Sequence, residues 1–176
     1  MMDQLGCLHI YTGDGKGKTT CAFGLALRCA GCGYRVEIFQ FLKSGTSGEV
    51  GCLKNLANVH YNGFSEKHDF YYKLCEQEKN AVRYECAAAF DLAKKLVIEQ
   101  KCDMIILDEI MAAVSLGLIS LKEVIELAEN HENVEVVMTG RDVPQELIRL
   151  ADYVSEIKMV KHPYEKGILA RRGIEF

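Results

Sequence analysis

Leu8-His9-Ile10-Tyr11-Thr12-Gly13-Asp14-Gly15-Lys16-Gly17-Lys18-Thr19-Thr20 joins a short β-like apolar run to a segment of helical period through a turn holding three glycines and two lysines. Strand, glycine-rich loop and helix in that order are the context in which successive backbone N–H groups form an anion cradle at the positive end of a helix. Gly13, Gly15 and Gly17 let the backbone turn tightly, and Asp14, Lys16 and Thr20 belong to the same loop. Lys18 falls where an ammonium meets phosphate oxygens, and Thr19 where a hydroxyl ligates Mg2+. The full pattern GxxxxGK(S/T) asks for glycine where this chain has Thr12, but the Gly17-Lys18-Thr19 core is intact.

Working outward, Met104-Ile105-Ile106-Leu107 is an apolar run that ends in Asp108-Glu109. In phosphate-loop proteins the acid after such a strand holds Mg2+, directly or through water. The pair also suits a plain helix start at Glu109-Ile110-Met111. Coupled to the phosphate loop, Asp108 and Glu109 join Thr19 as the expected metal ligands.

Short apolar runs alternate with longer helix-period segments, which predicts an α/β fold with a mostly parallel central sheet and helices on both faces. Strands are expected over 7–11, 35–41, 59–61, 104–107, 134–138 and 153–157, and helices over 18–29, 75–100, 121–129 and 144–150. The stretches 43–58 and 62–74 lack a clear period and read as loops at the edge of a site.

With 176 residues the chain has the size of one domain, 1–176, able to bury roughly 70% of its unfolded surface. No apolar run reaches the roughly 18 residues of a membrane span. The start MMDQLGCLHIYTG is neither a secretory signal nor a transit peptide, so a cytoplasmic location is expected. A net charge of −4 argues against a general nucleic-acid binder. The tail is the exception: from Lys158 onward five Lys or Arg face two Glu, either as a solvated face or as a basic flap near an anionic ligand. Eight cysteines without a secretory signal read as reduced thiols. Cys7, Cys21, Cys86 and Cys102 fall within strand or helix patterns and are expected to behave as small buried hydrophobes. Cys29 and Cys32 form a lone CxxC with no second pair to complete a zinc site.

The segments TGDGKGKTTCAFGLALR, EIFQFLK, MIILDEI and VVMTGRDVPQELIRLADYVSEIKMVKHPYEKGILARRGIEF together resemble the ATP:corrinoid adenosyltransferases of the cobalamin-synthesis type, and the likeness runs from Leu8 to Phe176. Members share the threonine matching Thr12. The resemblance implies a homodimeric enzyme of recombinase-like phosphate-loop fold that moves the 5′-deoxyadenosyl group of ATP onto the Co(I) of cobalamin or a precursor corrinoid. Mg2+ would assist, triphosphate would leave, and a flavoprotein or similar reductase would supply the electron. The nucleotide would be bound in the sense opposite to most such proteins, exposing the ribose C5′ to attack. Carried over by residue, Gly13 to Thr20 would bind triphosphate, with Lys18 and Glu109 central to catalysis, and Arg28 would reach the sugar. Thr19, Asp108 and Glu109 would organise Mg2+, and Phe64 would lie beneath the corrin ring. Family members often carry tryptophan two residues after that phenylalanine, where this chain has Glu66 and no tryptophan at all. Some also have an N-terminal extension over the nucleotide. Two other uses of the loop stand beside this one: a small-molecule kinase, which would release ADP, and an ATP-driven switch or motor, which would need a positioned water and commonly a trans arginine.

Overall fold

The computed structural model describes residues 6–43, 47–63 and 71–175. Strands β1 (Leu8–Thr12), β2 (Val36–Gln40), β3 (Val59–Gly63), β4 (Met104–Asp108), β5 (Glu135–Thr139) and β6 (Tyr153–Glu156) form one sheet in the order β3-β2-β4-β5-β1-β6. Every pairing is parallel. Helices α1 (Lys18–Gly31), α2 (Gly48–Leu53), α3 (Glu76–Ile98), α4 (Ile110–Ser115), α5 (Leu121–Glu129) and α6 (Gln145–Leu150) cover it.

The period-2 geometry of a strand sends alternate side chains to opposite faces, and β4 uses both. Ile105 and Leu107 join a core with Val82, Cys86, Phe90, Ala93 and Val97 of α3 and with Val124 and Leu127 of α5. Met104 and Ile106 join a second core with Ala22, Phe23, Ala26, Cys29 and Ala30 of α1 and Val50 and Leu53 of α2. All five residues of β2 and of β4 are buried, which explains their near-continuous apolar sequence. The stripe on α1 follows helical spacing, and α3 repeats it with Val82, Cys86, Phe90, Ala93 and Val97. At the start of α3 the Cys75 N–H donates to Glu78 Oε2 at 2.7 Å, half of a capping box.

Topology gathers the functional positions at one edge. Because β4 and β5 lie between β1 and β2, helix α1 crosses beneath them and packs on all four strands. Register pairs Gln40 with Asp108 and Tyr11 with Thr139, so the carboxyl ends of β1, β2, β4 and β5 are level. Ligands of open parallel sheets bind outside such ends.

The expected strands and long helices are all present, with ends shifted by no more than a few residues. Differences are local. The stretch 43–58, expected as loop, contains α2, and 62–74 contains a 3-10 turn at Tyr71–Lys73. The helix start considered at Glu109 is real, and α4 begins there. Six-residue helices such as α2 and α4 are too short to display a period. Among the thiols, Cys86 and Cys102 are buried as expected, and burial pushes both up to about 12. Cys21 is exposed and Cys7 only half-buried. Cys21 belongs to a helix, but it lies beside the buried stripe of α1 rather than within it.

Gly140, which follows β5, has φ of 145°, and a Cβ there would lie 2.5 Å from Met111 Cβ and 3.2 Å from Met111 N. Helix α4 is therefore packed directly on the backbone of the Thr139-Gly140 step. Gly140→Ala is expected to cost about 2–3 kcal/mol through overpacking and left-handed strain, a fall of roughly 5–10 °C in Tm, measurable by thermal denaturation.

Candidate active site

Thr12 to Lys18 wrap the mouth between β1 and α1, and the loop is held in shape from two sides. From within, Lys18 Nζ donates to the carbonyls of Gly13 at 2.7 Å and Gly15 at 3.0 Å. From outside, the chain leaving β6 presses on it. Ile157 N–H donates to Thr12 O, Gly15 N–H donates to Ile157 O, each at 2.8 Å, and Met159 N–H donates to Asp14 Oδ1 at 3.1 Å. A Cβ on Gly13 would sit 2.4 Å from the Ile157 carbonyl oxygen, and one on Gly15 2.7 Å from it. Glycine is needed here for close backbone approach as well as for the turn. Arg141, from the loop after β5, donates to Asp14 O at 3.4 Å. Burial lowers the Lys18 pKa, Arg141 and Lys43 lower it further, and Glu109 and Asp14 oppose them.

Behind Thr19, Asp108 ends β4 with no exposed surface. Its Oδ1 accepts from Thr139 Oγ1 at 2.6 Å and from Thr19 Oγ1 at 3.0 Å, and its Oδ2 accepts from Gln40 Nε2 at 2.9 Å. Gln40 is in turn set by Tyr61 of β3, whose hydroxyl donates to Gln40 Oε1 at 2.6 Å. Burial, with the Asp108 and Glu49 charges adding, raises the Tyr61 hydroxyl to about 12, so it stays a donor. Glu109 occupies a left-handed conformation, φ 61°, with its N–H donating to Thr139 Oγ1 at 2.9 Å. That uncommon backbone turns its carboxylate toward the cleft beside Asp108. Lys43 closes the group: its Nζ lies 3.1 Å from Glu109 Oε1, 3.2 Å from Thr19 Oγ1 and 3.4 Å from Asp108 Oδ2. Burial works against the Lys43 charge, but Asp108 and Glu109 outweigh it and hold the ammonium pKa above its ordinary value.

Lys18, Thr19, Gln40, Lys43, Glu109 and Arg141 border one open cleft of about 1050 Å3, which is large for a small-molecule site. Asp14, Gly15, Lys16, Gly17, Lys18, Thr19, Thr20 and Glu109 line it. Gly13 lies at the base of the loop under Ile157, and Asp108 lies behind Thr19. Arg28, in the last turn of α1, is exposed and does not line the cleft. Phe64 lies outside the described residues. The charged tail does reach the site, though through an acid: Lys16 Nζ meets Glu175 Oε1 at 3.2 Å, and Arg171 holds the same carboxylate at 3.1 Å and depresses its pKa to about 2.

Sequence reasoning alone does not identify Gln40, Lys43, Thr139 or Arg141 as site residues. Gln40 leaves one trace, a polar residue inside the apolar run Val36 to Phe41. Lys43 leaves only its place at the end of the family-like segment EIFQFLK, with no period to give it a role.

The family described as ATP:corrinoid adenosyltransferase BtuR/CobO/CobP matches residues 4–176. The chain is 35% identical over 177 residues to the corrinoid adenosyltransferase of Escherichia coli, covering 99% of this chain and 87% of that protein. It is 35% identical over 180 residues to the corrinoid adenosyltransferase CobA of Salmonella typhimurium, again with 99% and 87% covered. Among solved structures it resembles EssC (ATPases 2 and 3) from Geobacillus thermodenitrificans with a TM-score of 0.53 and 15% identity, over 96% of this chain and 35% of that one, a likeness of fold alone. A phosphate loop facing a strand-end acid pair, in a chain matched along nearly all its length, leads to one assignment: the protein belongs to the ATP:corrinoid adenosyltransferase family.

Proposed function

We propose that this chain, acting as one domain over residues 1–176, transfers the 5′-deoxyadenosyl group of ATP to the Co(I) centre of a corrinoid and releases triphosphate, in adenosylcobalamin synthesis or salvage. The observation that carries the reading is the cleft lined by Asp14 to Thr20 and by Glu109, with Asp108 bonded to Thr19 behind it, in a member of this family. The cobalt lone pair forms the Co–C5′ bond as the C5′–O bond breaks, and the departing electron pair stays on the triphosphate. No side chain acts as nucleophile. The protein contributes placement and charge, and a triphosphate leaving from carbon gains negative charge where the loop N–H groups and Lys18 gather. Lys18 is preorganised for this, because it already rests on two loop carbonyls.

Mg2+ suits the donors present. Thr19, Glu109 and Asp108 offer hard oxygens already drawn around a cation, the Lys43 ammonium. Among the described residues no three His, Cys, Asp or Glu side chains form a metal cluster, so phosphate oxygens and water would complete the shell. When bound, the ion neutralises part of the leaving charge. In the same reading Arg28 serves the nucleotide sugar and Phe64 the lower face of the corrin. A flavoprotein or similar reductase delivers the electron in the cytoplasm, and two copies of the chain associate. The dimer draws support from β6, an edge strand whose four residues are all exposed. No helix among the described residues is long and apolar enough to cross a membrane. The kinase alternative finds no support in relatives named corrinoid adenosyltransferases.

Incubation with ATP, Mg2+ and chemically reduced cob(I)alamin is expected to yield a carbon–cobalt bond in the visible spectrum and inorganic triphosphate in the products. ADP as the phosphate product would point to a kinase instead. Lys18→Ala is expected to lower kcat/KM for ATP by about 100-fold or more, through loss of a charge-assisted phosphate contact. Phe64→Ala separates reduction from transfer. An apolar group that excludes a lower axial ligand favours Co(I), and each ~59 mV gained is about 1.4 kcal/mol for one electron. The variant should lose much activity when assayed from Co(II) with a biological reductant and little from pre-formed Co(I), whereas equal losses would assign Phe64 to packing or general binding.

A further inference from the structure

Lys43 follows β2 through Phe41, whose N–H donates to Asp108 O at 2.9 Å, and Leu42, which adopts a left-handed φ of 59°. That turn folds the chain back so that the lysine reaches over the acids rather than away from the sheet. Its ammonium meets three oxygens, from Thr19, Asp108 and Glu109, at 3.1 to 3.4 Å. These are the same three groups proposed to hold Mg2+, so the inference rests on that reading. The two cations cannot share the seat. Contact between them would be strongly repulsive in a partly desolvated site, and the Thr19 hydroxyl oxygen is already taken by the lysine. One ammonium also balances only one of the two carboxylates. A divalent ion arriving with a polyanion can therefore displace it, and the Lys43 side chain, 41% exposed, has an open path into the cleft that Lys18 and Arg141 also line.

We propose that Lys43 is an exchangeable internal counter-ion: its ammonium holds the metal seat while nucleotide is absent, yields it to Mg2+ arriving with ATP, and then moves onto triphosphate oxygens. The exchange makes metal binding conditional on nucleotide. It keeps the acidic pair from collecting free divalent ions, and it delivers a positive charge to the leaving group in the same step. Lys43 is thus a positioning residue for the metal before the reaction and a phosphate contact during it.

Mn2+ binding followed by electron paramagnetic resonance, with and without ATP, tests this on the full chain. Wild-type protein is expected to bind Mn2+ weakly alone and well with ATP. Lys43→Met and Lys43→Gln, the second retaining a hydrogen-bond donor without the charge, should each bind Mn2+ alone at least tenfold more tightly, while Lys43→Arg keeps the wild-type exclusion. Turnover of the Met and Gln variants at saturating Mg2+ should move the other way, falling about tenfold. A purely structural lysine would weaken both properties together. Unchanged or weaker binding of Mn2+ alone in a folded Met or Gln variant that still binds Mn2+ with ATP overturns the exchange and leaves the metal site standing. Failure of the wild type to bind Mn2+ even with ATP removes the metal site and the exchange with it.

Discussion

A carboxylate with no exposed surface is costly unless it is fully hydrogen-bonded, and Asp108 meets that condition by recruiting four elements at once. Thr139 comes from β5, Gln40 from β2, Thr19 from α1, and Lys43 from the turn beyond β2. Each donor is itself constrained. Thr139 also accepts the Glu109 N–H, Gln40 is oriented by Tyr61, and Thr19 also accepts from Lys43 Nζ at 3.2 Å. The strand ends are thereby locked into one register, and the glycine-rich loop, the acid pair and Tyr61 of β3 become parts of one polar cluster. Such a cluster is high-stakes, since removal of one partner leaves buried groups unsatisfied.

The same cluster accounts for strain found beside it. Glu109 and Leu42 both take left-handed backbone conformations that non-glycine residues seldom adopt. Each strained residue carries a functional group into the cleft, Glu109 its own carboxylate and Leu42 the lysine that follows it. Strain of this kind persists where the surroundings over-determine it. Here those surroundings are the Asp108 hydrogen bonds and the packing of α4 against Gly140.

The sheet, its long helices, the glycine-rich loop and the acid pair that ends β4 could be read from the sequence because each is a local signal. Buried strands such as Ile105 to Leu107 print as unbroken apolar runs, and the glycines around Lys18 follow from cradle geometry. What could not be read is non-local. Gly13 and Gly15 are needed partly because Ile157, more than 140 residues away in sequence, lies against them. Lys43 acquires meaning only once β2 and β4 are side by side, and Cys21 looks buried until the stripe on α1 is known. The tail reads as basic by composition, yet its charged contact with the loop is made by Glu175, and Arg171 spends its charge on that same carboxylate.

The placement of β1 has a consequence for how the molecule is made. Of the six described strands, the first in sequence pairs with β5 and β6, the last two. Until residues 153–159 are available, the Thr12 carbonyl and the Gly15 N–H lack their partners on Ile157 and the Asp14 carboxylate lacks Met159. A nascent chain can therefore hold Gly13 to Thr20, Asp108 and Glu109 and still lack the contacts that brace the loop. Folding slows as the sequence distance that native contacts must close grows, so the loop after β1 is set late, once the chain has been made through residue 159.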